Sequence, residues 1–334
     1  MILGHGDDIY SHDKPIESNF SSNIYSRQNL SNLQQHLCTC IGAIHSYPEA
    51  DAFSLTELLA IKHNVNVQNI SVTNGATEAI YLIAQAFRGS VSTIISPTFS
   101  EYGDAAFIND HTIYRVKSLE EVAGNTDLVW LCNPNNPTGT VIDKRELRGY
   151  IKAHPEQYII IDQSYEHFTI KDLFSAKEVA EYKNVLLLHS MTKHYAIAGL
   201  RLGYITAHTD TLNMVSKYHM PWSVNGLAIE AGKFLLKEMP EAIDINCYLS
   251  EKDRLQNALN DIDGVTVFPS DTHFFLCSLE GKRASDLKTY LVDHYGILIR
   301  DAANFHGLDE RYFRIATQSA GENDKLVESI KEWI

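Results

Sequence analysis

The sequence predicts an α/β protein: a large domain on a mainly parallel sheet flanked by helices, then a smaller α+β domain at the C-terminal end. Three observations lead there. Four short runs rich in Val, Ile and Leu, at 92–97, 126–134, 157–164 and 184–190, are each bounded by turn formers. Helix-like segments lie between these runs. The pattern then changes after about residue 235, where long helical stretches are followed by strand-like ones.

The four runs, STIISP, TDLVWLCNP, QYIIIDQS and NVLLLHS, are apolar on successive residues rather than alternating. They read as strands buried on both faces. TEAIYLIAQAFRG (77–89) has apolar residues at 79, 80, 82, 83, 86 and 87 and closes at Gly89, a helical pattern with a glycine stop. The segment 143–153 opens with Asp143, a suitable N-cap. Strands alternating with helices imply a parallel sheet covered on both sides, with ligands beyond the carboxyl ends of the strands. In the second part, FLLKEMPEAIDINCYLSEKDRLQNALNDIDG reads as long helices. VTVFPSDTHFFLCSL, ILIR and YFRIATQ read as strands of a separate sheet, with a closing helix near 321–334. The boundary falls softly in a helix that starts near Asn225. A length of 334 residues fits two domains, at about 150 residues each.

Composition narrows the function. With 44% hydrophobic and 21% charged residues the chain is ordinary globular protein. It has 28 basic and 42 acidic residues, a net charge of −14. That charge disfavours nucleic acid and anionic membrane surfaces as partners, while leaving room for a local basic pocket. No apolar run approaches the ~18–20 residues needed to span a bilayer. The start, MILGHGDDIY, carries two acids and no basic segment before a long apolar stretch, so no secretory signal is expected. Five cysteines stand at 38, 40, 132, 247 and 277. The one close pair is C-x-C without a second pair, so no metal site is expected, and reduced thiols of a cytoplasmic enzyme fit better.

Four segments carry possible chemistry. In SMTKHYAIAGLRLGY (190–204), Lys193 follows an apolar strand between Ser190, Thr192 and a glycine-rich stretch holding Arg201. A lysine at a buried strand end is costly unless paired or neutralised, and one use for it is a Schiff base with an aldehyde cofactor. A surface loop would carry the same residues. In QYIIIDQSYEHF, Asp162 ends a buried strand and Tyr165 follows; the aspartate is either a helix cap or a carboxylate aimed into a site. LCNPNNPTG (131–139) is a rigid turn with asparagine donors at a strand end, or merely a turn. In SVTNGATEAI, residues Gly75, Ala76 and Thr77 open a helix, which suits either a bound phosphate or plain capping.

Together these segments resemble the fold-type-I pyridoxal-phosphate enzymes of the class I and II aminotransferase group. The matches are N-P-N-N-P-T-G at 133–139, Asp162 with Tyr165, S-M-T-K at 190–193 and G-L-R-L-G at 199–203, in the family's order. Matches outside these motifs, SYPEAD (46–51), HMPWSVN (219–225), residues 297–323, GHGDDI and FSSNI, are similar to family members with phosphorylated substrates. Two features depart from the pattern. Gln163 stands where an acidic residue is usual, and SSNIYS lacks the usual proline.

The resemblance implies pyridoxal 5′-phosphate as cofactor and assigns roles. Lys193 would form the Schiff base, Asp162 would pair with the pyridine nitrogen, and Asn136 and Tyr165 would bond the phenolic oxygen. The cofactor phosphate would be held by the Gly75–Ala76–Thr77 turn, Ser190, Thr192 and Arg201. Tyr102 or Phe99 would stack on the ring. Tyr47 would reach the cofactor of a neighbouring subunit, which requires a homodimer with shared active sites. Arg314, assisted by Asn23, would bind the substrate carboxylate, and Arg300 and His5 a substrate phosphate. The chain would divide into an arm (1–40) packed with the small domain, a large domain (41–235) and a small domain (236–334). The implied activity is decarboxylation of a phosphorylated amino acid, or amino transfer from a phosphorylated amine to 2-oxoglutarate.

Overall fold

The structure, a computed structural model, describes residues 6–239 and 243–334. Its centre is a seven-stranded sheet in the order Ile70–Thr73, Gly203–Ala207, Val185–Ser190, Tyr158–Asp162, Leu128–Cys132, Val91–Ile95, Thr112–Val116. Gly203–Ala207 runs antiparallel to both its neighbours, and the remaining pairings are parallel.

The apolar runs form strands because both faces of the sheet are covered. Along Leu128–Cys132, residues Leu128, Trp130 and Cys132 pack with Ile80 and Ile83 of helix Gly75–Ala86. Val129 and Leu131 face the other way, onto Leu147 and Ile151 of helix Lys144–Ala153. Burying each such side chain stabilises the fold by about 1.5–3 kcal/mol. Asp143 caps the second helix, its carboxylate accepting from Arg145 N at 2.8 Å. The first helix starts at Gly75 and ends at Ala86, earlier than the glycine stop suggested.

A second, antiparallel sheet has the order Arg300–Asp301, Tyr312–Ala316, Phe274–Leu279, Val265–Val267. Helices Ile245–Asn260, Ala284–Tyr295 and Ala320–Trp333 cover it around Phe275, Cys277, Phe313 and Ile315. Near the N-terminus, Ser18–Asn19 pairs in parallel with Ile297–Leu298. Helix Gly226–Glu238, capped by Asn225, packs instead beside the large sheet. A Cβ at Gly232 would lie 2.8 Å from Leu55 Cδ2.

Candidate active site

A cavity of about 310 Å³ opens where the arm, the turn after Leu128–Cys132 and the ends of Tyr158–Asp162 and Val185–Ser190 converge. Lys193 lies just past the last of these strands and lines it. Burial, reinforced by the positive charges of Arg314 and Arg201, lowers its pKa to about 8. Its amine is therefore deprotonated in useful amounts near neutral pH, as a nucleophile requires.

Asp162 ends its strand beneath the cavity and is buried. Oδ1 accepts from the amide and hydroxyl of Ser164 at 2.9 and 2.6 Å. Oδ2 accepts from Tyr102 Oη at 2.7 Å. Tyr102 is fully buried with its ring stacked on Trp130, so it holds the aspartate. Phe99 lines the cavity edge-on to Tyr102.

The N-P-N-N-P-T-G turn has cis peptides before Pro134 and Pro137 and presents Asn136 to the cavity. Asn136 Oδ1 accepts from Arg314 Nη1, and Arg314 Nη2 donates to the Ser21 carbonyl. Arg314 Nε is buried without a partner among the described residues. Burial lowers the pKa of Arg314 to about 10. Tyr165 Oη accepts from Asn23 Nδ2 at 3.2 Å, and burial raises the Tyr165 pKa.

Arg300 lies directly opposite Arg314 on the neighbouring antiparallel strand. It is 7% exposed, donates to Asn304 Oδ1 at 2.7 Å and lies over the Phe305 ring. Gly6 covers it so closely that a Cβ there would lie 3.0 Å from Arg300 Cδ.

Another part of the lining has the makings of an anion site. Ala76 and Thr77 open helix Gly75–Ala86, leaving first-turn amides to bind an anion. Gly75 has φ +80°, and a Cβ there would lie 2.6 Å from Arg201 Nη2. A Cβ on Gly203 would sit 2.6 Å from Ala76 N. Ser190 Oγ and Thr192 Oγ1 pair at 2.7 Å and also line the cavity.

The structure thus brings fourteen of the expected site residues to one cavity: Ala76, Thr77, Phe99, Tyr102, Asn136, Asp162, Tyr165, Ser190, Thr192, Lys193, Arg201, Asn23, Arg300 and Arg314. Gly75 stands behind them against Arg201. Tyr47 does not line this cavity; it is 84% exposed, its ring 5.1 Å from that of Trp222. His5 lies outside the described residues. Sequence reasoning missed Ser164 and Asn304, polar residues that lie within segments it singled out but at positions to which it gave no role. It also missed a trio away from the cavity. His36, Cys40 and Glu230 bring ligand atoms within 4.8 Å of one another, with Glu230 already paired to Lys233 at 2.7 Å.

Pyridoxal phosphate fits this cavity on the structure's own terms. The small-residue turn leaves room for a phosphate beside Arg201, a reactive lysine lines the same cavity, and a thrice-bonded carboxylate stands beneath. Such a set defines a pyridoxal-phosphate-dependent enzyme, and comparison with known proteins agrees. The chain belongs to the class I and II aminotransferase family, whose model matches residues 16–330. Among its relatives, a histidinol-phosphate aminotransferase of Caldanaerobacter subterraneus subsp. tengcongensis is 32% identical over 303 residues, covering 86% of this chain and 84% of that protein. A threonine-phosphate decarboxylase of Salmonella typhimurium is 31% identical over 328 residues, covering 93% and 90%. The crystal structure of L-threonine-O-3-phosphate decarboxylase from Porphyromonas gingivalis superposes with a TM-score of 0.92 at 39% identity, over 95% of this chain and 99% of that one. Among the described residues no helix is long and apolar enough to cross a membrane.

Proposed function

We propose that this enzyme is an L-threonine-O-3-phosphate decarboxylase, releasing carbon dioxide and the aminopropanol phosphate used in cobalamin assembly. The observation that carries the reading is the pair of buried arginines, Arg314 and Arg300, in register on adjacent strands at one cavity. A phosphorylated amino acid has two anions to match them, and a protein of net charge −14 attracts such a substrate only through a local pocket. The 39% identity to the Porphyromonas gingivalis enzyme supports the same reading.

Bound pyridoxal phosphate supplies the electron sink for the bond broken at the substrate's α-carbon. Lys193 Nζ is the site of covalent attachment and, once free, the group that holds or delivers a proton at that carbon. Asp162, fixed by Ser164 and Tyr102, pairs with the pyridine nitrogen. Asn136 Nδ2 and Tyr165 Oη would hold the phenolic oxygen, and Phe99, which lines the cavity, would cover the ring. Ala76 and Thr77 amides, Ser190, Thr192 and Arg201 bind the cofactor phosphate, with Gly75 giving Arg201 its space. Arg314 would take the substrate carboxylate through the edge that includes Nε, assisted by Asn23, and so would orient the bond to be broken. Arg300, with His5 from the arm, takes the substrate phosphate. In this reading the chain divides into the arm (1–40), the large domain (41–235) and the small domain (236–334). It works in the cytoplasm as a homodimer in which Tyr47 reaches the partner's cofactor phosphate.

The test is to supply the purified holoenzyme with carboxyl-labelled L-threonine O-3-phosphate and collect labelled carbon dioxide. The second reading, a histidinol-phosphate aminotransferase using 2-oxoglutarate, rests on the equally similar Caldanaerobacter relative. Glutamate formed from histidinol phosphate and 2-oxoglutarate, without release of labelled gas, would establish it instead.

A further inference from the structure

Residues 20–25 of the arm run from the small sheet to the lysine, tied at successive positions. Phe20 N donates to Leu298 O at 2.8 Å and Phe20 O accepts from Ala316 N at 2.9 Å. Ser21 O accepts from Arg314, and Tyr25 N donates to Lys193 O at 2.9 Å. The tie between these ends is His273, whose Nε2 lies 3.1 Å from the Asn23 carbonyl.

A carbonyl can only accept, so Nε2 carries the proton and Nδ1 is bare. Nδ1 is buried and finds no partner among the described residues. The ring is wedged between aromatic neighbours: Phe168 at 3.9 Å, Tyr248 at 5.4 Å and Phe274 at 5.2 Å between centroids. Burial, with the positive charges of Arg314 and Lys193, drives its pKa down to about 3. It is therefore a neutral, single-donor imidazole across the working range. Its donor goes to the backbone of Asn23, whose side-chain amide meets the Tyr165 hydroxyl.

We propose that His273 is a positioning residue: through the Asn23 carbonyl it holds the Asn23 amide against the Tyr165 hydroxyl, and so sets that hydroxyl's direction toward the cofactor. The inference rests on the proposed contact between Tyr165 and the cofactor's phenolic oxygen. A donor at that oxygen favours its ionised form, so weakening the contact raises the pH at which the bound cofactor's visible absorbance changes.

The experiment titrates that absorbance in holoenzyme variants. His273→Phe keeps a ring to stack and loses the donor; the midpoint should rise by roughly half a pH unit. His273→Asn restores a donor and should return the midpoint most of the way. Asn23→Ala should reproduce the Phe shift, and the double variant should add little to it, as expected of residues acting in series. This arm also reports if His273→Phe fails to fold. Equal shifts in both His273 variants, or fully additive shifts in the double variant, overturn the inference. Tyr165→Phe is the control. If it leaves the midpoint unmoved, the assumed role of Tyr165 fails first. If it moves the midpoint while His273→Phe and Asn23→Ala do not, the fault lies with His273 alone.

Discussion

Lys193 has a pKa of about 8 in the folded chain against an ordinary 10.5. Covalent capture of added cofactor by the ligand-free protein should therefore speed up as pH rises through about 8, followed by stopped-flow absorbance. Between these two values the unfolded chain binds a proton that the folded chain does not. Stability of the ligand-free protein from this group should then rise from about pH 8 toward 10.5, and Lys193→Met should flatten that rise in denaturant titrations. A second prediction concerns Tyr102, whose hydroxyl serves the Asp162 carboxylate. Losing a bond to a charged group costs ~1.5–3 kcal/mol, so Tyr102→Phe should weaken pyridoxal-phosphate binding about tenfold or more. Equilibrium dialysis checks it, and unchanged affinity would remove Tyr102 from the support of Asp162. Lys193 and Asp162 were legible because polar residues at the ends of buried strands demand a reason. Tyr102 was legible only as one of two aromatics in PTFSEY, since nothing in the spacing says which of them lies against Trp130 with its hydroxyl on Asp162.

The start of helix Gly75–Ala86 works because strand Gly203–Ala207 comes close beside it. Gly203→Ala would place a methyl 2.6 Å from Ala76 N and 2.8 Å from the His189 carbonyl, contacts that backbone cannot relieve cheaply. The variant should lose both cofactor retention and melting temperature, whereas Gly199→Ala, with open space around it, should lose neither. Thermal melts with and without added pyridoxal phosphate separate the two effects. The four doubly buried strands were legible as elements because each is an unbroken apolar run. Thr112–Val116 was not: it is an edge strand with Thr112, Tyr114 and Arg115 exposed, and it lacks the continuous burial that gives a run its signature. Helix Ala284–Tyr295 was missed as well, because only Ala284, Leu287, Leu291 and Val292 are buried among polar neighbours. Long-range pairing, not local pattern, places such elements.

On the surface of the whole molecule, Ile41, Ile44, Tyr47, Met220 and Trp222 are large apolar side chains left exposed. Trp222 N donates to the Ala50 carbonyl, so the two segments carrying them are joined. In the proposed homodimer, this apolar exposure would form the association surface. Sedimentation should give a dimer, and Tyr47→Asp with Trp222→Asp should yield a folded monomer with little activity. A fully active monomer would contradict the shared-site reading. That the N-terminal arm packs with the small domain was expected from the family resemblance alone; its pairing of Ser18–Asn19 with Ile297–Leu298 joins residues almost the whole chain apart, which no local pattern reveals. The N-P-N-N-P-T-G turn and the lysine segment, by contrast, carry their chemistry in consecutive residues and could be read without the fold.

The register of Arg300 against Arg314 has a thermodynamic side. Like charges directly opposite on paired strands repel, and here both are largely buried, with Arg300 helping to depress the Arg314 pKa. The ligand-free protein is thus held under electrostatic tension that a bound anion relaxes, and the ligand acts as a keystone. Inorganic phosphate should raise the melting temperature well above what chloride achieves at equal ionic strength. Arg300→Met should reduce that increment to the share due to the cradle at Ala76, Thr77 and Arg201, and leave the empty protein as stable as the parent or more so. A phosphate response unchanged by Arg300→Met would place the anion elsewhere.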